Sequence, residues 1–445
     1  MLKTGMSRIE ITPPKGLELA GYPHYPRNNE GAHDPLYATC MYLENEKTAV
    51  AIVSLDLLFF SKKHVAKARK VIEEKYGISG KNVMISCTHT HSGPWASGRL
   101  DIESLEAGKE QPAEYIEDVI GKISDVVGEA KENAFEGEFA TATAICGAES
   151  GIGGNRRVKG GPHDPTVSVM AIRDLDKKVR GIFVNYTLHP TFIHEWSNVC
   201  TADYPCYLKL QLEELERDAI AGFTQGTSGN QSSRYYRMGE SYDEAERVGR
   251  TLGKAAHDAL LKAEWKNEID IKTESAEVNP KIRDFGTEED LLKQVEHDEK
   301  IYKELYAKYG KSENREEYYL WQNANLKLLG SEDQLGYVVM KRKGIKVELL
   351  EDEVPAEIQV ISLGDTLIVG LQGEVFVEYG IYIKAMAGYK TTIIHELANG
   401  VLPGYLYTPE SLETGGYETD TSMLDESFGK EYVNKALEII AKVRK

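Results

Sequence analysis

No run of about 18 apolar residues occurs in this chain, which excludes a membrane-spanning helix. The opening residues, MLKTGMSRIEITPPKG, lack the apolar core of a secretory signal. A cytoplasmic protein without stable membrane insertion is therefore expected. Cysteine is sparse: five residues, at 40, 87, 146, 200 and 206, with no Cys-x-x-Cys pair. That excludes a zinc ribbon, argues against a disulfide framework and suits a reducing compartment. Positive charge is short as well, with 53 Lys and Arg against 71 Asp and Glu, a net −18. Such a surface repels phosphate backbones and anionic headgroups, so nucleic acid is not an expected partner. Neither repeats nor low-complexity tracts nor linkers rich in Pro, Gly or Ser are apparent. With no boundary marked, residues 1–445 are expected to form a single large catalytic domain.

What is present is an ordinary globular balance, 41% hydrophobic and 28% charged, enough to bury a large core. Residues 37–60 place two β-rich runs around the polar turn ENEK, a hairpin signal. Apolar positions recur at helical spacing over 62–76, and Gly77 is a natural stop. Runs at 82–86, 140–146, 167–175, 181–188, 219–225, 357–371 and 391–397 read as strands. Residues 112–133, 207–218, 242–264 and 427–443 read as helices, and another starts near Glu374. The charged, Tyr-rich stretch 287–329 reads as a helical pair within an insertion over about 285–345. This alternation predicts an α/β fold of layered mixed β-sheets flanked by helices.

The chemistry concentrates at strand ends. Cys87-Thr88-His89-Thr90-His91-Ser92-Gly93-Pro94 directly follows a buried strand. In an extended segment His89 and His91 would project to one face, as a pair of metal ligands or as two hydrogen-bonded loop histidines. His189 ends the strand GIFVNYTL, and Glu374 stands where an apolar strand gives way through Gly373 to a helix. A carboxylate there is costly to bury unless it is paired or metal-bound. Two His and one Glu at strand ends suit catalytic zinc with an open position. The Gly-rich stretch 147–161 carries Arg156 and Arg157, which suggest either recognition of an anion or polyol, or solvated loop charge. Cys87 reads as a packing residue.

The His89 segment resembles the His-Thr-His-Ser-Gly-Pro signature of the neutral (alkaline, non-lysosomal) ceramidases. Further blocks follow in the order of that family: Gly5…Ser7-Arg8-Ile9-Glu10-Ile11-Thr12-Pro13, AGYPHY, DPLYAT, IVSLDLL, NVMIS, Asn155-Arg156, LHPTFI with Ala202-Asp203-Tyr204, FTQGTSGNQSS and LQGEVF. The resemblance covers most of the catalytic domain and is weak between about 280 and 350. It implies a zinc amidase that splits an N-acyl bond. It also implies His89, His189 and Glu374 as zinc ligands, with Tyr405 as the fourth and Tyr407 as the alternative. His91 and Arg156 would be non-ligand polar residues of the site. Ser232 matches a serine proposed as a nucleophile, but its surroundings, GNQSSR, favour an ordinary turn.

A zinc-activated water attacking an amide carbonyl is the implied mechanism. Tyr405 or Arg156 would stabilise the oxyanion, and His91 would act as general acid or base. Asp56 and Asp203 are candidates to orient the ligand histidines, or else simple surface or cap residues. The chain departs from the family in three places. No secretory signal and no C-terminal β-sandwich domain are expected, and Trp95-Ala96-Ser97-Gly98-Arg99 replaces a small Gly-rich sequence. These departures favour a small-molecule substrate other than ceramide. Two rival expectations follow: the same zinc site acting on a carbohydrate or other small polar metabolite, or a metal-stabilised binding protein without catalysis. A deep apolar groove beside the metal would favour acyl chains, and a small polar pit would favour sugars or amino-acid derivatives. The oligomeric state is left open.

Overall fold

A computed structural model describes residues 1–22, 25–97, 112–312, 314–347 and 351–444. Pro23 and His24 of the AGYPHY block, and Gly98 and Arg99, lie outside the described residues.

The first eight strands longer than two residues are β1 (Lys3–Glu10), β2 (Tyr37–Glu44), β3 (Ala49–Leu55), β4 (Val83–Cys87), β5 (Phe135–Ile145), β6 (Thr166–Asp174), β7 (Val179–Tyr186) and β8 (Ile220–Gln225). They form one sheet in the order β8-β7-β6-β5-β1-β2-β3-β4. Its interior pairings are antiparallel, whereas the outermost pairs, β3 with β4 and β7 with β8, are parallel. A parallel neighbour requires a crossover. Helix α1 (Lys62–Tyr76) joins β3 to β4, and a later helix, Tyr204–Leu215, joins β7 to β8. Helix α2 (Ala113–Glu132) packs beside α1. We number Tyr204–Leu215 as α3; α4 (Tyr242–Leu260) packs beside it.

A second sheet holds β9 (Ile271–Val278), β10 (Ala356–Leu363), β11 (Thr366–Leu371) and β12 (Thr391–His395) in sequence order. Here too the first three strands are antiparallel and the fourth is parallel to the third. Helices α5 (Glu288–Tyr309) and α6 (Arg315–Lys343) stand as a hairpin between β9 and β10. Helix α7 (Val377–Met386) makes the crossover, and α8 (Phe428–Val443) closes the chain. The same succession therefore occurs three times: three antiparallel strands, a crossover helix, a parallel strand and a packing helix.

Strand alternation explains the layers. In β2, Ala38, Cys40 and Tyr42 face α1 and α2, whereas Met41 and Leu43 face the second sheet. In β6, Val167, Val169 and Ala171 face α3 and α4, whereas Met170 and Ile172 face the second sheet. From the second sheet Ile361, Ile368 and Ile393 meet them, and its other face packs on α7 and α8. The result is four layers: helices, large sheet, small sheet, helices. Both faces of each sheet are buried, which explains runs such as AVAIVSL that are apolar at nearly every position. Among the described residues no helix is long and apolar enough to cross a membrane.

The expected elements recur with shifted ends. Helix α3 starts three residues early because Asp203 caps it and Pro205 fits its first turn. Strand β9, IKTESAEV, was not anticipated; it is an edge strand with little apolar alternation. No self-similarity marks the threefold pattern in sequence, because the repeats share topology and not residues.

Glu353 fastens the first repeat to the third. Its carboxylate accepts the Lys62 N–H at the start of α1 (2.8 Å) and the Val401 N–H beyond β12 (3.1 Å). Burial raises its pKa from 4.5 to about 7. The native state therefore holds a proton that the unfolded chain releases between those values, and native stability falls as pH rises from 4.5 to 7. The contribution is at most about 3 kcal/mol. We expect Glu353→Gln to flatten the decline of melting temperature across that window. Parallel melting curves for both proteins would show that Glu353 does not carry the slope.

Candidate metal centre

The carboxyl ends of the three parallel strand pairs converge, a usual position for α/β sites. Beyond β4, Thr88 N–H donates to Leu55 O (2.8 Å) and His89 N–H to Leu57 O (2.9 Å), so the chain still follows the end of β3. His89 then adopts φ +68°, a left-handed conformation uncommon outside glycine. Thr90 holds the turn by donating its hydroxyl to Thr201 O (2.6 Å). The expectation of an extended His-Thr-His is thus corrected: a turn, not strand alternation, brings the two rings to 4.9 Å between centroids. His189 follows β7. Glu374 is still extended, bridged with Tyr405 in a parallel two-residue ladder, and the helix begins only at Val377.

His89 Nε2, His189 Nε2 and Glu374 Oε1 form a nearly equilateral triangle with edges of 3.1, 3.1 and 3.2 Å. Both imidazole Nδ1 atoms face backbone carbonyls, Leu58 O at 3.2 Å and Ser228 O at 2.9 Å. A carbonyl only accepts, so each Nδ1 carries the proton and each Nε2 presents a lone pair. Burial, with Arg156 nearby, pushes the His189 pKa down to about 3, which keeps that ring neutral. Glu374 Oε1 faces both Nε2 atoms. Three acceptors therefore face one another, and Glu374 Oε1 is buried with no hydrogen-bond partner. A shared cation would relieve their repulsion. Ligands at 2.0–2.1 Å from a tetrahedral zinc are separated by roughly 3.3 Å, close to the edges seen here. The donor set, two neutral imidazoles and one carboxylate, fits a divalent ion of that kind.

His91 adjoins this set. Its ring nitrogen and those of His89 and His189 all lie within 4.8 Å of one another. Its Nδ1 donates to Gly21 O (3.0 Å), and its buried Nε2 has no partner. Gly21 has φ +102°, and a Cβ there would stand 2.6 Å from the His91 Cβ, so only glycine allows this approach.

The residues orienting the ligands are not the two aspartates expected. Asp56 pairs with Lys209 Nζ (2.6 Å) and accepts Tyr37 N–H (2.9 Å). Asp203 caps α3 and accepts the Phe192 and Ile193 N–H groups (2.9 Å each), which fixes the loop after His189. Each is fully used in holding a loop, and neither contacts a ligand ring. Behind His189 stand Ser228, whose Oγ lies 3.1 Å from Nδ1, and Glu396, which accepts the Ser228 hydroxyl. Glu396 also accepts Val375 N–H (2.9 Å), next to Glu374. Sequence reasoning missed this pair. The signal for Glu396 was the one applied to Glu374, a carboxylate just past a buried apolar strand.

Tyr405 lies opposite Glu374 and stacks edge-on with Tyr417 at 5.8 Å. Tyr407 donates its hydroxyl to Leu424 O (2.8 Å), so it is spent on packing. Arg156 donates to Glu418 (2.7 Å) and to Gly229 O (2.8 Å), and Arg157 takes the other Glu418 oxygen (2.7 Å). The anion that these arginines recognise is thus internal. Ser232 accepts Arg234 N–H (3.2 Å), as a turn serine does. Cys87 is buried in the core, and burial pushes its thiol pKa upward. A cavity of about 740 Å³ opens in front of the centre, with His91, Arg156 and Ser232 in its wall. Helix α6 supplies the opposite wall, which gives the helical hairpin a place at the site.

No protein-family model matches the chain. Neutral ceramidases of Drosophila pseudoobscura pseudoobscura and Drosophila melanogaster are 24% identical to it over 226 residues, 48% of this chain and 32% of theirs. The matched stretch thus spans about a third of the length of these relatives. The crystal structure of neutral ceramidase from Pseudomonas aeruginosa superposes on all of this chain, and on 74% of its own, with a TM-score of 0.74 at 16% identity. A ceramidase complexed with C2 gives 0.75 at 16% identity, again over all of this chain and 75% of its own. With about half its sequence matched at 24% identity and its whole length superposed, the chain is similar in sequence to the neutral ceramidases and shares the fold of their solved structures.

Proposed function

We propose that this protein is a zinc-dependent hydrolase of an amide (N-acyl) bond. The observation that carries the reading is the triangle of unprotonated donors formed by His89, His189 and Glu374, whose edges match one face of a zinc tetrahedron. Tyr405, beside Glu374, would complete the set. An ion held there supplies Lewis acidity, which brings the pKa of water to roughly 7 and polarises an acyl carbonyl. The amide specificity rests on likeness to ceramidases.

The chain's own residues supply the remaining functions. His91 Nε2, a bare acceptor at the cavity wall, takes a proton from the attacking water and returns it to the leaving amine. Arg156 is fixed by Glu418 and Gly229, and its guanidinium keeps further N–H groups for the oxyanion. Ser228 and Glu396 hold His189 in its donor tautomer. These assignments favour catalysis over a purely structural metal, because a structural site uses neither a free acceptor nor a cavity.

Treatment with a strong chelator is expected to abolish amine release from N-acyl substrates by more than about a thousandfold, and added zinc to restore it. Full activity in a protein shown by elemental analysis to be metal-free would overturn the proposal.

A further inference from the structure

The wall of the cavity is informative about what occupies it. Among the described residues, three aliphatic side chains, Val158, Leu326 and Leu329, line it, against six tyrosines. On α6 the face turned to the cavity carries Tyr318, Gln322, Asn325 and Leu329, spaced three or four residues apart. The apolar surface that the wall offers comes mostly from tyrosine rings with carboxamide and guanidinium groups set among them, so an extended acyl chain laid along it would also desolvate those polar groups.

The charges point away from anions as well. Arg156 and Arg157 share Glu418, and Arg237 is paired with Glu240. Arg234 donates to Asn323 (2.8 Å) and lies over the Tyr319 ring at 4.2 Å, and Lys327 pairs with Asp420 at 3.5 Å. Among the described residues, every arginine and lysine in the wall has a partner within the protein. What the wall offers to a ligand is ring faces together with carboxamide donors and acceptors. Ring faces match the C–H faces of a pyranose, and carboxamides match its hydroxyls.

We infer that the amide cut at this site belongs to a compact polyhydroxylated amine, an N-acylated amino sugar, and not to a long-chain lipid. This rests on the amide-hydrolase reading above. The acyl group meets His91 and Arg156 while the sugar lies against Tyr25 and Tyr318.

The test compares amine release by the zinc-loaded protein from four probes that each carry an N-acyl amide. These are N-acetylglucosamine, its trisaccharide, N-acetylsphingosine and N-hexadecanoylsphingosine, the last two in mixed micelles. We expect kcat/KM for the trisaccharide to exceed that for either sphingosine derivative by at least about tenfold. Tyr318→Ala should raise KM for the trisaccharide about tenfold with kcat within about twofold, and Tyr318→Phe should restore it. Equal or faster cleavage of the sphingosine derivatives overturns the inference and leaves the amide hydrolase standing. If no probe is cut, the hydrolase reading fails, and calorimetry of the trisaccharide with the Glu374→Gln protein decides the ligand class separately. Heat of binding supports the sugar site, and its absence at millimolar trisaccharide removes it.

Discussion

Zinc content is expected to fall from about one ion per chain in the wild type to less than about a tenth in Glu374→Gln and His89→Ala, with at least about a thousandfold loss of turnover. Loss of an orienting residue alone costs about 10–100-fold in metal affinity, and loss of a donor costs more. Each variant removes one corner of the triangle and leaves two donors, too few for a catalytic zinc site. The two differ in the metal-free state. In the wild type three acceptors face one another, whereas the Glu374→Gln amide can donate to a histidine Nε2. Metal-free Glu374→Gln should therefore melt no lower than the metal-free wild type. Only the wild type should gain from added zinc, by about 2.7 kcal/mol at a free concentration a hundred times Kd. Elemental analysis and thermal denaturation read both outcomes. Undiminished zinc in both variants would place the ion elsewhere.

The second large effect concerns Glu418. It is buried to 4% exposure and is the shared counter-ion of Arg156 and Arg157. Burial works to raise its pKa, but the two guanidinium groups hold it below the ordinary carboxylate range. Glu418→Ala strands both charges, and breaking a buried pair by removing one partner costs about 3–5 kcal/mol. We expect a clear drop in melting temperature, partly recovered by millimolar acetate or formate, which refills the vacated carboxylate position. Glu418→Gln should retain more stability than Glu418→Ala, because its amide oxygen still accepts from one arginine. A Glu418→Ala protein as stable as the wild type and indifferent to carboxylates would show that the pair is solvated.

Much of this site was legible one residue at a time. Burial cost singled out Glu374 and the His-x-His pair singled out His89, whereas His189, a lone histidine past a strand, gained meaning only beside them and from the family resemblance. These signals failed for the residues behind them. Asp56 and Asp203 have the right chemistry, but each is consumed in fixing a loop. Ser228 looked like any turn serine, and the orienting group on His89 is a backbone carbonyl, which sequence does not display. The Arg156–Arg157 pair suggested an external anion, whereas its partner lies more than 260 residues along the chain, a distance local patterning does not bridge. Layering and helix positions followed from periodicity. The threefold succession did not, since it consists of strand directions alone.

That succession bears on when the centre comes into being. His89 is supplied by the first unit, His189 by the second and Glu374 by the third, each from beyond a parallel-paired strand. No unit by itself holds more than one of them. A ribosome-bound chain that has emerged only through its second unit offers two imidazoles, too weak a clasp to keep an ion against cellular ligands. If the centre holds the proposed ion, firm capture would wait for the last unit to dock, and the ion would act as a checkpoint on assembly: a chain that retained it would have all three units in place.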